Sequence, residues 1–469
     1  MTMEDYDLVI LGSGEGSKFL AWTHARNGSR VAVIERKYIG GSCPNVACLP
    51  SKNVIQSSKV VALARRGAEF GVRSGPISVD MTAVRERKQK MVRDLVDLHE
   101  QNFASSGAEL VLGNGRFVGP RTLHVTLRDG TSRTLRGAHV VIGTGTHATI
   151  GEVRGLADAQ PLTHVEALEL GEVPAHLLVL GNGYVGLEFA QAMRRLGSRV
   201  TVLARSDRLL AKEDDDAVDA LSALFRDEGI DVVLGSKVTA VSGRSGASVQ
   251  ISLDVAGKSV TLLGSHLLVS MGRTPNTAGI GLDLAGVDLD DHGYVTVNER
   301  LETTAQGVWA IGDVAGSPQF THIAYDDFRV IRDNLAGGHR VTTGRLVPYC
   351  LFTDPELAHV GLTEKQAVAA NVPYRLFRVP MAADLRTRTL SETRGFMKAL
   401  VAEDNDRILG FTVFGVGAGE IMSAVQLAMI GNLRYTVVRD AIIAHPTLVE
   451  GLVVLFSSTP TAVSSGRPS

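Results

Sequence analysis

Short apolar segments of the buried-strand type recur along the chain, and the first of them opens a strand–helix–strand pattern. Residues 8–11 are apolar and lead into a glycine-rich turn at 12–17, a helical stretch follows, and a second apolar strand at 31–34 ends at Glu35. Glycines in such a turn let the backbone approach a pyrophosphate at the helix N-terminus, and the acid after the second strand accepts a hydrogen bond from a ribose. The pattern therefore predicts a parallel α/β unit that binds a dinucleotide.

The same pattern occurs a second time. Residues 177–180 are apolar, a glycine-rich turn follows at 181–186, and a helix leads to a strand at 199–203. An internal repeat of this unit indicates two nucleotide sites in one chain. No acid ends the second strand of this copy; Arg205 and Arg208 follow instead, and paired guanidinium donors suit the 2′-phosphate of NADPH. The alternative, two solvated surface arginines, leaves the missing acid unexplained.

Composition excludes several classes of function. The chain of 469 residues is 44% hydrophobic and 21% charged, with a formal net charge of -2, so no basic surface for nucleic acid or for an anionic membrane is predicted. No apolar run approaches the ~18 residues that a membrane span needs, and the acidic N-terminus lacks the basic segment of a secretory signal. Three cysteines do not make a disulfide framework. We therefore expect a cytoplasmic protein without nucleic-acid or membrane partners.

Two of the cysteines stand in the segment 40–52. Pro50 suits the first turn of a helix, which puts Cys48 at the helix N-terminus, where the free amides and the helix dipole favour a thiolate. Lys52 adds a positive charge about one turn further on. A redox-active dithiol of Cys43 and Cys48 is the favoured interpretation. The alternatives are two structural cysteines or half of a zinc site, and zinc needs two more Cys or His ligands at compatible spacing.

The same segment, Gly-Gly-Ser-Cys-Pro-Asn-Val-Ala-Cys-Leu-Pro-Ser-Lys, resembles the active-site signature of the class I flavoprotein disulfide reductases, a family of pyridine nucleotide-disulfide oxidoreductases. The family includes glutathione reductase, dihydrolipoyl dehydrogenase, mycothione reductase and mercuric reductase. Ser42, Pro44 and Ala47 are the minor departures from its pattern. The resemblance covers essentially the full chain and implies an α/β fold with two Rossmann-like dinucleotide-binding domains, for FAD and NADPH, and a C-terminal α+β dimerisation domain.

The resemblance also implies the domain limits and the site residues. The implied domains are 1–150 for FAD with the redox-active disulfide, 151–273 for NADPH, 274–345 for the second FAD segment, and 346–469 for dimerisation, with a disordered tail from Ser457. Lys52 is implied to pair with Glu188 near the flavin, and Tyr184 to lie over the flavin where the nicotinamide enters. The residues implied to bind the two cofactors are Gly12, Ser13, Gly14, Glu15, Gly16, Glu35, Gly41, Ser42, Lys52, Thr144, Gly145, Gly181, Gly183, Tyr184, Val185, Glu188, Arg205, Arg208, Gly272, Arg273, Gly312, Asp313 and Thr321. No metal site is implied.

A histidine near the C-terminus completes the implied site. His445 is followed by Glu450, which can orient and charge-stabilise an imidazole. The segment resembles the family's His-Pro-Thr-x-x-Glu acid–base pair, which comes from the other subunit and faces the interchange cysteine. The resemblance therefore implies a homodimer with two composite active sites.

Residues and resemblance together predict an enzyme that passes electrons from NADPH through FAD and the Cys43–Cys48 dithiol to a small disulfide or a related oxidant. Cys48 is implied to face the flavin and Cys43 the substrate. The alternatives are a mercuric-reductase-like enzyme, a reductase of hypothiocyanite or reactive chlorine species, an NAD-dependent dihydrolipoyl dehydrogenase, a quinone-reducing diaphorase, and a non-catalytic redox-sensing flavoprotein. The His445–Glu450 pair argues against a sensor, because a switch needs no tuned acid–base group.

Overall fold

The computed structural model describes residues 3–463 of the chain. The first part of the chain forms β1 (Met3–Leu11), α1 (Glu15–Arg26), β2 (Val31–Glu35), α2 (Ser42–Asn45), α3 (Cys48–Arg65), α4 (Met81–Ser106), β3 (Glu109–Gly119), β4 (Thr122–Leu127), β5 (Ser132–Ile142) and β6 (Thr146–Ala148). β1 pairs in parallel with β2 and with β5, and β2 pairs in parallel with β3. The continuous apolar sequences of β1 and β2 suit this position, because both faces of a central parallel strand are covered.

The middle of the chain repeats the arrangement. It forms α5 (His164–Ala167), β7 (His176–Leu180), α6 (Tyr184–Leu196), β8 (Arg199–Leu203), α7 (Asp215–Asp227), β9 (Asp231–Val233), β10 (Ser236–Arg244), β11 (Ser248–Val255), β12 (Lys258–Gly264) and β13 (His266–Val269). β7 and β8 pair in parallel within a sheet of order β13-β7-β8-β9, and β10 to β12 form a separate antiparallel sheet. The two predicted strand–helix–strand units, β1-α1-β2 and β7-α6-β8, are therefore confirmed.

The chain then returns to the first sheet. This segment forms β14 (Arg273–Pro275), α8 (Leu282–Ala285), β15 (Val308–Ala310) and α9 (Thr321–Leu335). β14 pairs with β6, and β15 extends the first sheet by pairing in parallel with β5. α9 packs on α1 so closely that a Cβ at Gly16 would lie 2.3 Å from the backbone oxygen of Ala324. Glycine at this position allows the two helices to frame the first nucleotide turn together. The predicted domain limits at 150, 273 and 345 stay predictions.

The C-terminal part has the mixed character that the sequence predicts. Its elements are β16 (Tyr349–Leu351), β17 (Glu356–Gly361), α10 (Glu364–Ala369), β18 (Tyr374–Pro380), α11 (Leu385–Thr389), β19 (Phe396–Ala402), β20 (Ile408–Gly415), α12 (Ala418–Ile430), α13 (Tyr435–Arg439), α14 (Gly451–Ser457) and β21 (Thr461–Val463). The strands form one sheet in the order β16-β17-β20-β19-β18-β21. α12 and α14 pack on it around a core that includes Phe411, Val425 and Phe456.

The prediction of a disordered tail from Ser457 onward is wrong for the residues of this tail that the structure describes. α14 continues through Ser457, and β21 then pairs antiparallel with β18. A strand at a sheet edge is held by backbone hydrogen bonds, which a Ser/Thr/Pro-rich composition does not reveal. The remaining tail, 464–469, lies outside the described residues. Within the described chain, no helix combines the length and the apolar character needed to cross a membrane.

Candidate active site

A cavity of about 2660 Å³ lies where the two parallel sheets, α9 and the C-terminal domain meet. A site for one small molecule measures roughly 300–1000 Å³, so this cavity has room for more than one ligand. The predicted site residues that line it are Gly12, Ser13, Gly14, Glu15, Gly16, Glu35, Gly41, Ser42, Cys43, Cys48, Lys52, Thr144, Gly145, Gly183, Tyr184, Val185, Glu188, Gly272, Arg273, Gly312, Asp313 and Thr321. Gly181, Arg205, Arg208, His445 and Glu450 lie outside its lining.

The two cysteines stand in consecutive short elements beside this cavity. Cys43 belongs to α2 and Cys48 is the first residue of α3, so its sulfur lies at a helix N-terminus as predicted from Pro50. Both cysteines are free thiols in this structure. The amide of Asn45 donates to the backbone oxygens of Ile39 and Gly41, at 2.9 and 2.8 Å. These two bonds hold the loop between the cysteines bent, a role that the sequence analysis did not assign to Asn45.

The electrostatic surroundings shift the pKa values of the two thiols in opposite directions. A hydrogen bond from Cys43 is the largest cause that lowers the pKa of Cys48, and Thr321 and Lys52 act in the same direction against the effect of burial. The Thr321 hydroxyl lies 3.2 Å from the Cys48 sulfur. The same hydrogen bond, together with burial, raises the pKa of Cys43. These opposite shifts favour the negative charge on Cys48 and the proton on Cys43.

The predicted Lys52–Glu188 pair is present. Lys52 Nζ lies 2.7 Å from Glu188 Oε2, and the Glu188 side chain is only 5% exposed. Glu188 Oε1 accepts a hydrogen bond from the backbone amide of Phe352 at 3.0 Å, and the Lys52 ammonium lies 4.6 Å from the centre of the Phe352 ring. These contacts fix the ammonium next to Cys48. Phe352 belongs to the C-terminal domain, and the sequence analysis gave it no role.

The first glycine-rich turn fits a dinucleotide such as FAD. α1 begins directly after Gly14, and no side chain caps its N-terminal amides, which leaves them to bind a phosphate. Gly12 has a φ of +100°, and a Cβ there would meet the Gly143 backbone oxygen at 2.3 Å, so the turn requires glycine. Thr144 Oγ1 is buried and has no hydrogen-bond partner among the described residues. A buried hydroxyl of this kind is expected to bond a ligand.

Glu35 stands at the predicted ribose position, but protein donors already bind it. Glu35 Oε2 accepts from the amide and the hydroxyl of Ser13, at 3.0 and 2.7 Å. Glu35 Oε1 accepts from the amides of Lys37 and Tyr38, at 2.7 and 3.0 Å. A carboxylate has about four acceptor sites, so a ribose would share them with these donors. The carboxylate thus holds the glycine-rich turn against the end of β2, and its contact with ribose stays a prediction.

Three short segments that the sequence predicts separately meet at Asp313. This residue follows β15, and its Oδ2 accepts from the Thr146 hydroxyl at 2.6 Å. Arg273 Nε lies 3.5 Å from the same oxygen and donates to the Thr146 hydroxyl at 2.6 Å. The carboxylate is thereby held at the cavity wall, where the ribityl hydroxyls of FAD could donate to it.

The second glycine-rich turn has the same open helix start, but its two arginines differ. α6 begins after Gly183 without a side-chain cap. Arg208 lies 3.2 Å from Asp215 and donates to Asp219 at 2.6 Å. Arg205 is exposed and has no ion pair within residues 3–463. Of the two arginines, Arg205 therefore keeps its donors free for a phosphate. The acidic run at 213–216 was the sequence signal that Arg208 forms ion pairs within the protein.

The His445–Glu450 pair is formed on the surface of the protomer. His445 Nδ1 lies 2.9 Å from Glu450 Oε2, and the histidine side chain is 60% exposed. Large apolar side chains nearby are also exposed, including Leu427 at 70%, Ile430 at 59% and Ile442 at 105%. Ile430 also lines the cavity. An exposed apolar area of this kind marks a protein interface.

This architecture matches known family models over nearly its whole length. Residues 6–327 match the pyridine nucleotide-disulphide oxidoreductase model, and residues 347–455 match the dimerisation domain of the same family. The chain therefore belongs to the pyridine nucleotide-disulphide oxidoreductases, flavin-dependent enzymes that act on sulfur groups. The family resemblance inferred from the redox segment is confirmed, as is the fold class.

Individual relatives cover almost the entire chain. The probable pyridine nucleotide-disulfide oxidoreductase RclA of Escherichia coli is 34% identical over 97% of this chain and 99% of its own. A mercuric reductase of Streptomyces lividans is 35% identical, over 95% and 94% respectively. A mitochondrial dihydrolipoyl dehydrogenase of Dictyostelium discoideum is 32% identical, over 96% and 93%. The Cu(II) complex of RclA, described as an HOCl-induced flavoprotein disulfide reductase from Escherichia coli, has a TM-score of 0.88 at 33% identity, over 97% of this chain and 99% of that one. Identity alone does not separate these activities.

Proposed function

We propose that this protein is an NADPH-dependent disulfide reductase of the cytoplasm, in which the Cys43–Cys48 dithiol reduces a small disulfide or a related oxidant. The observation that carries the proposal is the placement of Cys48 as the first residue of α3, 3.2 Å from the Thr321 hydroxyl, with Cys43 in the short helix α2 just before it. FAD, held by the first glycine-rich turn and Asp313, would transfer electrons between the nucleotide and the dithiol. The similarity to RclA, described as an HOCl-induced disulfide reductase, supports the assignment of this protein as a disulfide reductase.

The two thiols reduce a disulfide by exchange. Deprotonated Cys43 attacks one sulfur of the substrate, forms a mixed disulfide and releases the first product as a thiolate. The Cys48 thiolate then attacks the Cys43 sulfur, closes the Cys43–Cys48 bond and releases the second thiolate. Two electrons pass from the dithiol to the substrate, and the two products take up two protons.

The exchange needs a base and an acid, which we assign to His445. The proton resides on Cys43, because its pKa is raised by the hydrogen bond to Cys48 and by burial. A neutral imidazole can take this proton and later give it to a leaving thiolate, and Glu450 stabilises the charged form in between. His445 lies outside the cavity lining of its own protomer, so we assign it to the site of the partner subunit in a homodimer.

Mixing two inactive variants tests the composite site. We expect His445→Ala and Cys43→Ser each to have little disulfide turnover. A mixed dimer of the two has one intact site, with Cys43 from one subunit and His445 from the other. With random reassociation about half of the dimers are mixed, so roughly a quarter of wild-type activity should return after exchange of subunits. Cys43→Ser mixed with Cys48→Ser is the matched control, because both of its sites remain broken. Activity that stays at the level of the separate variants would contradict the composite site.

The preference for NADPH is part of the proposal and is supported by Arg205. This arginine is exposed, follows β8 directly and has no ion pair in the described part of the chain, and no acid ends β8. A guanidinium there can bind the 2′-phosphate bidentately. Arg208 would first have to leave Asp219.

Oxidation of the nucleotide by the purified, FAD-loaded protein against a panel of acceptors tests the function. The panel contains small-molecule disulfides, lipoamide, hypothiocyanite, hypochlorous acid, mercuric ion, cupric ion and a quinone, each with NADPH and with NADH. We expect a disulfide or a chlorine oxidant to be reduced with NADPH as the better donor. Turnover of quinone alone, or of lipoamide with NADH alone, would overturn the proposed function.

A further inference from the structure

A buried carboxylate behind the cavity has no part in the reaction described above. Glu213 precedes α7 and is 5% exposed. Its Oε1 accepts the hydroxyl of Tyr184 at 2.9 Å, and its Oε2 accepts the hydroxyl of Tyr349 at 2.8 Å. Each carboxylate oxygen therefore has one phenol donor, and the two phenols come from different domains.

The two tyrosines occupy the cavity wall between the nucleotide turn and the dithiol. Tyr184 is the first residue of α6, directly after the second glycine-rich turn, and one turn later the same helix places Glu188 on Lys52. Tyr349 begins β16, and its ring centre lies 5.9 Å from that of Tyr184. Both tyrosine rings line the same cavity as Gly183 of the second nucleotide turn and Cys48.

Glu213 is fixed by the main chain around it and is not free to follow a moving tyrosine. The backbone oxygen of Glu213 accepts from Lys365 Nζ at 2.6 Å. The next residue, Asp214, accepts from the backbone amide of Lys365 at 3.0 Å and pairs with the buried ammonium of Lys398 at 2.8 Å. A rotation of Tyr184 away from Glu213 breaks their bond, while the anchored main chain and the hydrogen bond from Tyr349 hold the carboxylate in place.

We propose that Glu213 and Tyr349 are positioning residues that form a latch, in which Glu213 holds the Tyr184 ring across the place that the nicotinamide ring of the nucleotide must take. The inference rests on the proposed function in one respect, since it takes a nicotinamide nucleotide as the ligand of the second turn. Tyr349 sets the strength of the latch, because it decides how well the carboxylate is satisfied after Tyr184 has left.

Two matched hydroxyl deletions act on this latch with opposite signs. Tyr184→Phe keeps the ring and removes the bond that the nicotinamide has to break, so a nicotinamide nucleotide binds more tightly. Tyr349→Phe leaves Tyr184 as the one hydroxyl donor to Glu213, so opening the latch leaves a buried carboxylate without either phenol. A buried acceptor without a partner is costly, and the nicotinamide nucleotide therefore binds more weakly.

Equilibrium titration of the FAD-loaded protein with two probes measures both effects. The probes are NADP⁺ and adenosine 2′,5′-bisphosphate, which has the phosphates and the adenine but no nicotinamide. We expect Tyr184→Phe to lower the dissociation constant of NADP⁺ by about 3- to 10-fold and Tyr349→Phe to raise it by about the same factor. The bisphosphate should bind equally to all three proteins.

The two variants and the two probes together distinguish a latch from a purely structural role. Effects of the same sign for both variants, equal effects on both probes, or no effect on NADP⁺ would overturn the latch. The titration measures binding without turnover, so it is independent of the acceptor that the enzyme reduces. Loss of disulfide turnover in the acceptor panel would contradict the proposed function and leave the result of this titration standing.

Discussion

Replacing Cys48 by serine is expected to lower nucleotide-dependent disulfide turnover on the order of 10³-fold or more, as removal of a covalent catalyst usually does. A serine hydroxyl is not ionised under these conditions and does not attack the Cys43 sulfur, so the mixed disulfide is not resolved. The serine also cannot provide the thiolate that accepts hydrogen bonds from Cys43 and Thr321. The measurement is oxidation of NADPH with the preferred acceptor from the panel.

Cys350→Ser is the matched control for this variant. Cys350 lines the same cavity, but burial raises the pKa of its thiol, so it remains protonated where Cys48 is ionised. We expect Cys350→Ser to keep turnover close to that of the wild type. Quinone reduction should survive in both variants if electrons can leave without the dithiol. Full disulfide turnover by Cys48→Ser would show that the dithiol is not the route, and the assignment of Cys43 would be wrong with it.

The parts of the site that the sequence predicts are those held by short contiguous segments. Glycines in a turn, a cysteine at a helix start and a strand that ends in Gly-Asp each have a local physical reason. The cavity lining follows the same rule, because Gly14, Cys48, Tyr184 and Asp313 each stand at the start of a helix or shortly after a strand.

Contacts between segments that lie far apart in the sequence could not be predicted from the sequence. Tyr349 and Glu213 are separated by 136 positions, and neither stands in a motif. The backbone amide of Phe352 donates a hydrogen bond to Glu188. A backbone donor cannot be predicted from the pattern of side chains. For Arg208, in contrast, the sequence did contain the information needed to predict its contacts. Its partners, Asp215 and Asp219, are close in sequence, and the prediction of a phosphate ligand passed over them.

The C-terminal domain contacts the second nucleotide-binding region through one short segment of its own chain. In the segment 349–354, from the start of β16 to the loop before β17, Tyr349 bonds Glu213, Phe352 bonds Glu188, and the amide of Asp354 donates to Gln191 at 2.8 Å. All three acceptors belong to the second nucleotide-binding region. A change of the contact between these domains would therefore move Glu188 and Tyr184 together.

A second tie between the same domains is a cluster of charges around Lys398. The carboxylates of Asp214, Asp216 and Glu364 lie within reach of a single cation. The ammonium of Lys398 takes that position, at 2.8 Å from Asp214, 2.7 Å from Asp216 and 2.7 Å from Glu364, and its side chain is 0% exposed. Burial alone would lower the pKa of Lys398, but Glu364 and Asp214 outweigh it and raise that pKa. The lysine therefore stays charged and offsets part of the negative charge of the three carboxylates.

Lys398→Met is expected to destabilise the folded protein by about 3–5 kcal/mol, the usual effect of removing one partner from a buried ion pair. Methionine fills similar space but removes the ammonium from Asp214, Asp216 and Glu364, of which Asp216 keeps its contact with Arg378 Nε at 3.4 Å. Lys90→Met is the matched control, since its pair with Asp94 at 2.6 Å is exposed on both sides and such pairs contribute roughly 0–1 kcal/mol. The measurement is the midpoint of thermal unfolding of the FAD-loaded protein near neutral pH.

The pH dependence of this loss separates charge from packing. In the wild type, burial raises the pKa of Asp214, but the ammonium of Lys398 outweighs it, so the pKa is lowered and the stabilisation persists until strongly acidic pH. Without the ammonium, burial raises the pKa of Asp214 above that in the unfolded chain. Protonation then relieves the variant as the pH falls, so its difference from the wild type should shrink between about pH 7 and about pH 5. A loss of packing alone would keep the difference constant, and that result would show that Lys398 acts by its shape rather than by its charge.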